Sequence, residues 1–207
     1  TYGGVISGTG GSLIKNGPAT FVLKGANTYD GGTTINEGTL SLQGSGSLSP
    51  TGFVDVASVV PGATFDISMG NSVQIIGDLI AIATTGFVNL GANQLRFGTS
   101  NGPVDFQGVI FGTGSIVKKG TGTAAFTNTN LYTGDTTVFA GTLSLEAPSC
   151  ISTSSLVFVN QNATLDISNS PVPSQTITNL VGPPGSFITL GNNNLTFGTA
   201  VPITVFA

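Results

Sequence analysis

Apolar and polar residues alternate along ATFVLKG (19–25), TLSLQG (39–44), ATFDIS (63–68) and FVNLG (87–91). A period of two over these short segments predicts half-buried β-strands, with Phe21, Leu23, Leu40, Leu42, Phe65, Ile67, Phe87 and Leu90 pointing inward. Phe87 and Leu90 do not share parity, so strict alternation can hold for only one of them. Lesser strands are expected at TTIN (33–36), FVDV (53–56) and LRFG (95–98). Between the strands lie GTGG (8–11), YDGG (29–32) and GSGS (44–47), whose residues reach positive φ or cap turns with their own side chains. No helical period of useful length occurs.

The spacing of like segments decides the architecture. Leu23, Leu42, Ile67 and Leu90 follow one another at intervals of 19, 25 and 23 residues. Hairpin-connected strands would recur every 8–12 residues. Intervals of this size instead describe a coil that passes through two or three strands per turn and stacks each on its counterpart in the next. The chain also repeats itself. GANTYDGGTTINEGTLSL (25–42) returns as NTNLYTGDTTVFAGTLSL (128–145), with 10 of 18 positions identical, and FVNLGANQLRFGT (87–99) returns as FITLGNNNLTFGT (187–199). ATFDIS (63–68) returns as ATLDIS (163–168), and GVISGTGGSLIKNG (4–17) as GVIFGTGSIVKKG (108–120). Self-similarity at a fixed distance marks a repeat architecture. The expectation is an all-β parallel solenoid of two tandem repeats, residues 1–107 and 108–207, continuous with each other. Five turns per repeat give about ten turns and, at about 4.8 Å per turn, a body about 48 Å long. The offset drifts from 104 to 103 to 100, and the three-residue deletion falls near ASVVPGA (57–63).

Composition fits such a coil, which closes its backbone hydrogen bonds between turns and needs few charges. Charged residues are only 7% of the chain, mean hydropathy is +0.35, and there are 31 glycines without a three-residue period. That excludes collagen, and the ordered alternation excludes disorder. No apolar run approaches the roughly 18 residues of a membrane helix. Net charge is −4 and the five basic residues, Lys15, Lys24, Arg96, Lys118 and Lys119, are scattered, so nucleic acid is not an expected partner. The adjacent pair Lys118–Lys119 reads as a solvated strand end. Cys150 is the lone cysteine, so no disulfide forms within the chain, and it reads as a small hydrophobe in a turn.

The segment GSLIKNGPATFVLKGANTYDGGTTINEGTLSL (11–42), repeated more loosely as GSIVKKGTGTAAFTNTNLYTGDTTVFAGTLSL (114–145), resembles the autotransporter-associated β-strand repeat. The resemblance implies a passenger of the type V secretion family. Such a passenger is a right-handed parallel β-helix, exported through an outer-membrane β-barrel translocator in the full-length chain and placed on or released from the surface of a Gram-negative bacterium. It also implies an element that aids transport and folding rather than a catalytic module. Asp135 departs from the pattern, standing where the family carries glycine. The sequence shows no set of barrel strands, so the expectation is a piece of a longer repetitive chain.

The search for chemistry yields no catalytic, cofactor-binding or metal-ligating assignment. With no His, every His-dependent triad and zinc site is excluded. Asp66 and Asp166 occupy equivalent places in the repeat, about 24 Å apart at five turns, too far for a carboxylate dyad. Asp30 and Glu37 flank a Gly-rich turn that calcium could use, but the Gly-Asp nonapeptide of calcium β-rolls is missing. Tyr29 and Tyr132 read as aromatic plugs at a corner rather than as sugar platforms, and Asn192–Asn194 as part of an Asn ladder. Three functions are compatible with these features. The first is a non-enzymatic β-helical stalk, with adhesive contacts to a host or matrix surface as its extension. The second is a subunit that self-associates head to tail into a fibre. The third is a polysaccharide-acting β-helix enzyme, disfavoured because Arg96 is the only arginine.

Overall fold

The computed structural model describes residues 1–57, 62–151 and 153–198. Among them every regular element is a β-strand, and every strand pairing is parallel. The chain climbs a solenoid of about nine turns, crossing three walls on each turn.

The first wall stacks β1 (Leu13–Lys15), β3 (Thr33–Ile35), β5 (Val54–Asp55) and β8 (Leu79–Ile80). It continues, through the bridge between Ala81 and Phe106, into β11 (Val104–Phe106), β14 (Thr123–Phe126), β17 (Thr142–Leu145), β19 (Thr164–Asp166) and β22 (Phe187–Thr189). The second wall holds β2 (Thr20–Leu23), β4 (Thr39–Gln43), β6 (Ala63–Met69), β9 (Gly86–Asn89), β12 (Val109–Gly112) and β15 (Leu131–Tyr132). Where that wall resumes it carries β20 (Ser174–Thr176) and β23 (Asn194–Thr196). The third wall runs through β7 (Val73–Ile75), β10 (Gln94–Phe97), β13 (Ser115–Lys118), β16 (Thr136–Val138), β18 (Val157–Val159) and β21 (Leu180–Val181).

Alternation sorts the side chains as the pattern predicts. Leu23, Leu40, Leu42, Phe65, Ile67 and Leu90 are buried inside the coil, and Phe21 packs against them from the first turns. Phe87 is the exception. It pairs with Val109 on the outer surface of the second wall, while its neighbour Val88 fills the core. Leu90 recovers the inward position because the chain turns the corner after Asn89.

The turn count differs from the expected ten, and the reason is geometric. From β1 the chain returns to the first wall at β3, β5, β8 and β11, which is four full turns. It then crosses the second wall at β12 and reaches β13, the sequence counterpart of β1, on the third wall. One repeat therefore advances the coil by four and two-thirds turns, not five. Every matched pair obeys this: β4 and β17, β6 and β19, and β9 and β22 lie on the second and first walls respectively, and β10 and β23 on the third and second. The two repeats are the same object rotated by one third of a turn. Pairing of β9 with β12 and of β10 with β13 carries the ladders across residues 107 and 108 without a break. The three-residue deletion expected near residues 57–63 falls largely on residues 58–61, which lie outside the described residues.

Candidate functional site in the repeat motif

The lysines and asparagines of the motif sit at the corners of the coil and tie one turn to the next. Lys15 ends β1 with its side chain inside. Its ammonium donates to the carbonyls of Asn16 (3.1 Å), Gly17 (2.5 Å) and, one turn on, Glu37 (2.9 Å). Lys118 repeats this with Lys119 (2.6 Å), Gly120 (2.9 Å) and Ala140 (3.1 Å). The expected solvated strand end is thus corrected: Lys118 is almost fully buried, because corner carbonyls have no ladder partner and an ammonium supplies three donors at once. Burial pushes the Lys118 pKa down to about 8, partly opposed by the Asp78 carboxylate. Its neighbour Lys119 does face outward, 4.6 Å above the Phe139 ring.

The next corner must settle directly on this one. Gly38 and Gly141 both take φ of 66°, and a Cβ on either would lie within 2.6 Å of the carbonyls beneath. Only glycine meets both demands, which explains the GTLSL signature that follows the corner in both repeats.

Asn27 joins three turns. Its Oδ1 accepts from the Ile6 amide (2.9 Å), and its Nδ2 donates to the carbonyls of Gly25 and Ser47 (2.9 Å each). Asn130 accepts likewise from the Ile110 amide at 2.8 Å. Tyr29 and Tyr132 are buried corner plugs, as expected, with hydroxyls paired to Thr33 (2.7 Å) and Thr136 (2.6 Å). Burial raises the pKa of both. Asp135, in the place of Gly32, avoids that glycine's positive φ and accepts from the Ser155 hydroxyl at 2.5 Å.

The carboxylates considered for chemistry are spread apart. Asp66 faces outward on the second wall, accepting from the Ser41 hydroxyl (3.1 Å) and the Ser68 amide (3.0 Å). Asp166 accepts from the Ser168 amide (2.8 Å) on the first wall. The rotation of the repeats puts them on different walls, so they do not even share a face. Asp30 and Glu37 lie at opposite ends of β3, and the Asp30 carboxylate accepts from the Gly10 amide. Among the described residues no group of three or more acidic, Cys or His side chains is placed to hold a metal ion. The Asn ladder also needs correcting. Asn193 donates to the carbonyls of Ile167 (2.8 Å) and Ser168 (3.3 Å), and Asn93 to those of Ile67 (2.7 Å) and Ser68 (3.3 Å), so these amides cap backbone instead of stacking on one another.

Gln74 and Gln175 were missed in the sequence. Both are buried, and their amides reach the Gly46 (3.0 Å) and Ala147 (2.7 Å) carbonyls where the turn beneath lacks a regular strand. A polar residue at the inward position of two matched strands was the signal. Cys150 is enclosed too: its thiol donates toward the Phe126 and Ala147 carbonyls, and burial pushes its pKa up to about 11. A thiol held protonated and covered is inert. A thiol reagent is expected to label Cys150 only as fast as the chain unfolds, with rapid labelling after addition of denaturant.

The motif geometry coincides with a known family. The family model of the passenger-associated-transport-repeat matches residues 13–42 and 116–145, which span both lysine corners, both tyrosine plugs and both GTLSL strands. The chain is similar to the adhesin BmaC autotransporter of Brucella suis biovar 1 (strain 1330), 36% identical over 146 residues, 69% of this chain. The chain carries the transport repeat of autotransporter passengers twice. It spans 4% of the length of that relative. No solved structure matches it significantly. Autotransporter passengers are exported through the outer membrane of Gram-negative bacteria, and this one is a cell-surface or extracellular solenoid built from their transport repeats.

Proposed function

We propose that this passenger solenoid is a non-catalytic spacer, a stalk that carries adhesive surface away from the cell, and that its full-length protein includes the outer-membrane β-barrel translocator through which it leaves. One observation carries the reading: the lysine, asparagine and tyrosine side chains of the motif are spent inside the coil. Lys15, Asn27 and Tyr29, with their counterparts Lys118, Asn130 and Tyr132, all point inward onto backbone or a buried hydroxyl. Polysaccharide-cleaving sites need a convergent set of free carboxylates and cations, and the outward carboxylates Asp66 and Asp166 stand on different walls.

A direct adhesive role has one observation in its favour. On the second wall Phe87 pairs with Val109, and Phe111 with the well-exposed Leu131, making a small apolar patch facing outward. The relative's name, adhesin, fits either form of the proposal. The purified chain is expected to release no products from acidic polysaccharides, and accumulation of cleavage products would end the spacer reading. Attachment of the chain to matrix-coated surfaces that is lost in Leu131→Asp would move the adhesive contact onto this segment. Attachment by the full-length protein alone would leave the segment a spacer.

A further inference from the structure

The sheet of the third wall begins part-way up the coil, and its lowest strand has no regular strand beneath it. That sheet ends at β7, which pairs with β10 on one side only. The Gln94 amide donates to the Ser72 carbonyl (2.8 Å) and the Ile76 amide to the Arg96 carbonyl (3.0 Å). Alternate residues of a strand bond to opposite sides in a parallel ladder, so the N–H and C=O groups of Val73 and Ile75 point away from β10. Among the described residues no hydrogen bond reaches them. The turn beneath, residues 44–52, cannot supply one. Leu48 and Ser49 sink inward, the Ser49 hydroxyl pairs with that of Thr51 (3.0 Å), and Pro50 has no N–H to give. What remains is a cleft of about 220 Å³ lined by Ser47, Leu48, Pro50, Val73, Gln74 and Ile75, with no charged residue among them. Gln74 also carries a buried Oε1 without a hydrogen-bond partner. The cleft lies within the coil, since Ser47 pairs with Gly25 and Asn27 on the turn below and β10 covers β7 above. The second repeat keeps the edge but changes its surface. There β20 carries Ser174 and Thr176 in place of Val73 and Ile75, and Thr153, in place of Pro50, ties its turn down to the Tyr132 carbonyl (2.8 Å).

We propose that the β7 edge takes an extended, uncharged peptide of a partner protein as an added strand, in the place that residues 47–50 leave on the third wall. The backbone of that peptide is set by the edge itself. Donors and acceptors of Val73 and Ile75 recur at every second residue, which is the repeat that an added strand presents in return. Its side chains follow from the lining. Outward positions of the added strand fall beside Val73 and Ile75, which are 36% and 38% exposed, so branched apolar residues fit there. Inward positions face Leu48 and Pro50 across a small space, so small residues fit there. No charge lines the cleft, and a charged side chain entering it would lose water without gaining a partner. Exposed edges are commonly blunted by a charge or a proline on the edge strand; Val73–Ile75 carries neither. The site is separate from the apolar patch on the second wall and goes beyond the spacer reading, which stands without it.

Hydrogen exchange and a strand-forming probe test the site in the intact chain. In the free chain the Val73 and Ile75 amides are expected to exchange much faster than the Gln74 amide, which the ladder to β10 holds. Slow exchange at both would mean that the edge is already paired and would overturn the proposal. So would protection that grows as the chain itself is concentrated, because the occupant would then be a second copy. A fluorescein-labelled SVSVS peptide is expected to bind saturably and to slow exchange at Val73 and Ile75. Ile75→Pro removes one edge donor without touching a ladder bond, and is expected to weaken binding at least about tenfold, the worth of one net hydrogen bond. Ile75→Thr keeps the donor and the branched shape, and is expected to bind within about threefold of the unsubstituted chain. Equal loss in the two variants would make the contact one of side chains, not of an added strand, and would overturn the proposal. Absence of saturable binding at millimolar peptide, with the β-sheet circular dichroism spectrum intact, would end it as well. The spacer reading fails on a different observation, the release of products from polysaccharides.

Discussion

Phe126→Ala is expected to destabilise the solenoid by about 3–5 kcal/mol, the range for deleting a fully buried aromatic ring. Phe126 stacks on Phe97 at 6.1 Å between centroids and meets Phe106 edge-on at 6.0 Å. Phe97 closes the first repeat on the third wall, and Phe106 lies on the turn below Phe126. The three rings fill the core where the repeats join. Little can collapse into the space, because the backbone on all three walls is held by ladders running across the joint. Stability in a stacked coil is a sum of turn and nearest-neighbour terms, so the loss falls on the coupling between repeats. Phe111→Ala, a ring of the same kind on the outer face, is expected to cost less than about 1 kcal/mol. Urea denaturation followed by circular dichroism separates the two. Equal shifts for Phe126→Ala and Phe111→Ala would contradict the assigned facing.

Much of this architecture was legible in the sequence, because a period of two and a spacing of roughly 20 residues are direct imprints of strand and turn. Phe65 and Ile67, or Leu40 and Leu42, announce their facing by parity alone. Phe87 misled because its strand runs into a corner, where parity resets before Leu90. The rotation of the repeats was invisible for a different reason. Matching TLSL with TLSL says that two strands are alike, but not which wall each occupies. That depends on the sum of all the intervening turn lengths, which here range from 19 to 25 residues. A repeat of 103 residues is simply not a whole number of such turns. Lys118 was misread because a lysine beside a lysine looks like solvent-facing charge. The signal lay in the Lys-x-Gly spacing shared with Lys15, which places each ammonium over a corner with carbonyls to satisfy. The same spacing explains why a chain so poor in charge keeps these lysines. In the core of a stalk they are backbone caps, not surface groups, so the structural role and the family's transport motif coincide in the same residues.

Lys118→Met tests that role. The substitution keeps the length and the apolar stem but leaves the Lys119, Gly120 and Ala140 carbonyls without the ammonium. Removing the cost of burying a charge offsets part of the loss, since burial already pulls the Lys118 pKa from 10.5 to about 8. Three charge-assisted bonds outweigh that gain, and a net loss of about 3 kcal/mol is expected at neutral pH. The pH dependence carries a second signature. Below about pH 8 Lys118 is charged in both states. Between its folded value of about 8 and its unfolded value of 10.5 the unfolded chain binds the extra proton, so stability rises with pH. Cys150 acts with the opposite sign. Its folded pKa of about 11 lies above the ordinary 9.0, so the unfolded chain gives up its proton first and stability falls as pH climbs past 9. Tyr29 and Tyr132, both raised by burial, add to the fall above 10. The chain should therefore gain stability from pH 8 to about 9 and lose it above about 10, with the two slopes nearly cancelling between. Urea midpoints measured across this range should lose the early rise in Lys118→Met and keep the later fall. A flat profile from pH 8 to 9 in the unsubstituted chain would mean that the three carbonyls, rather than burial, set the protonation of Lys118.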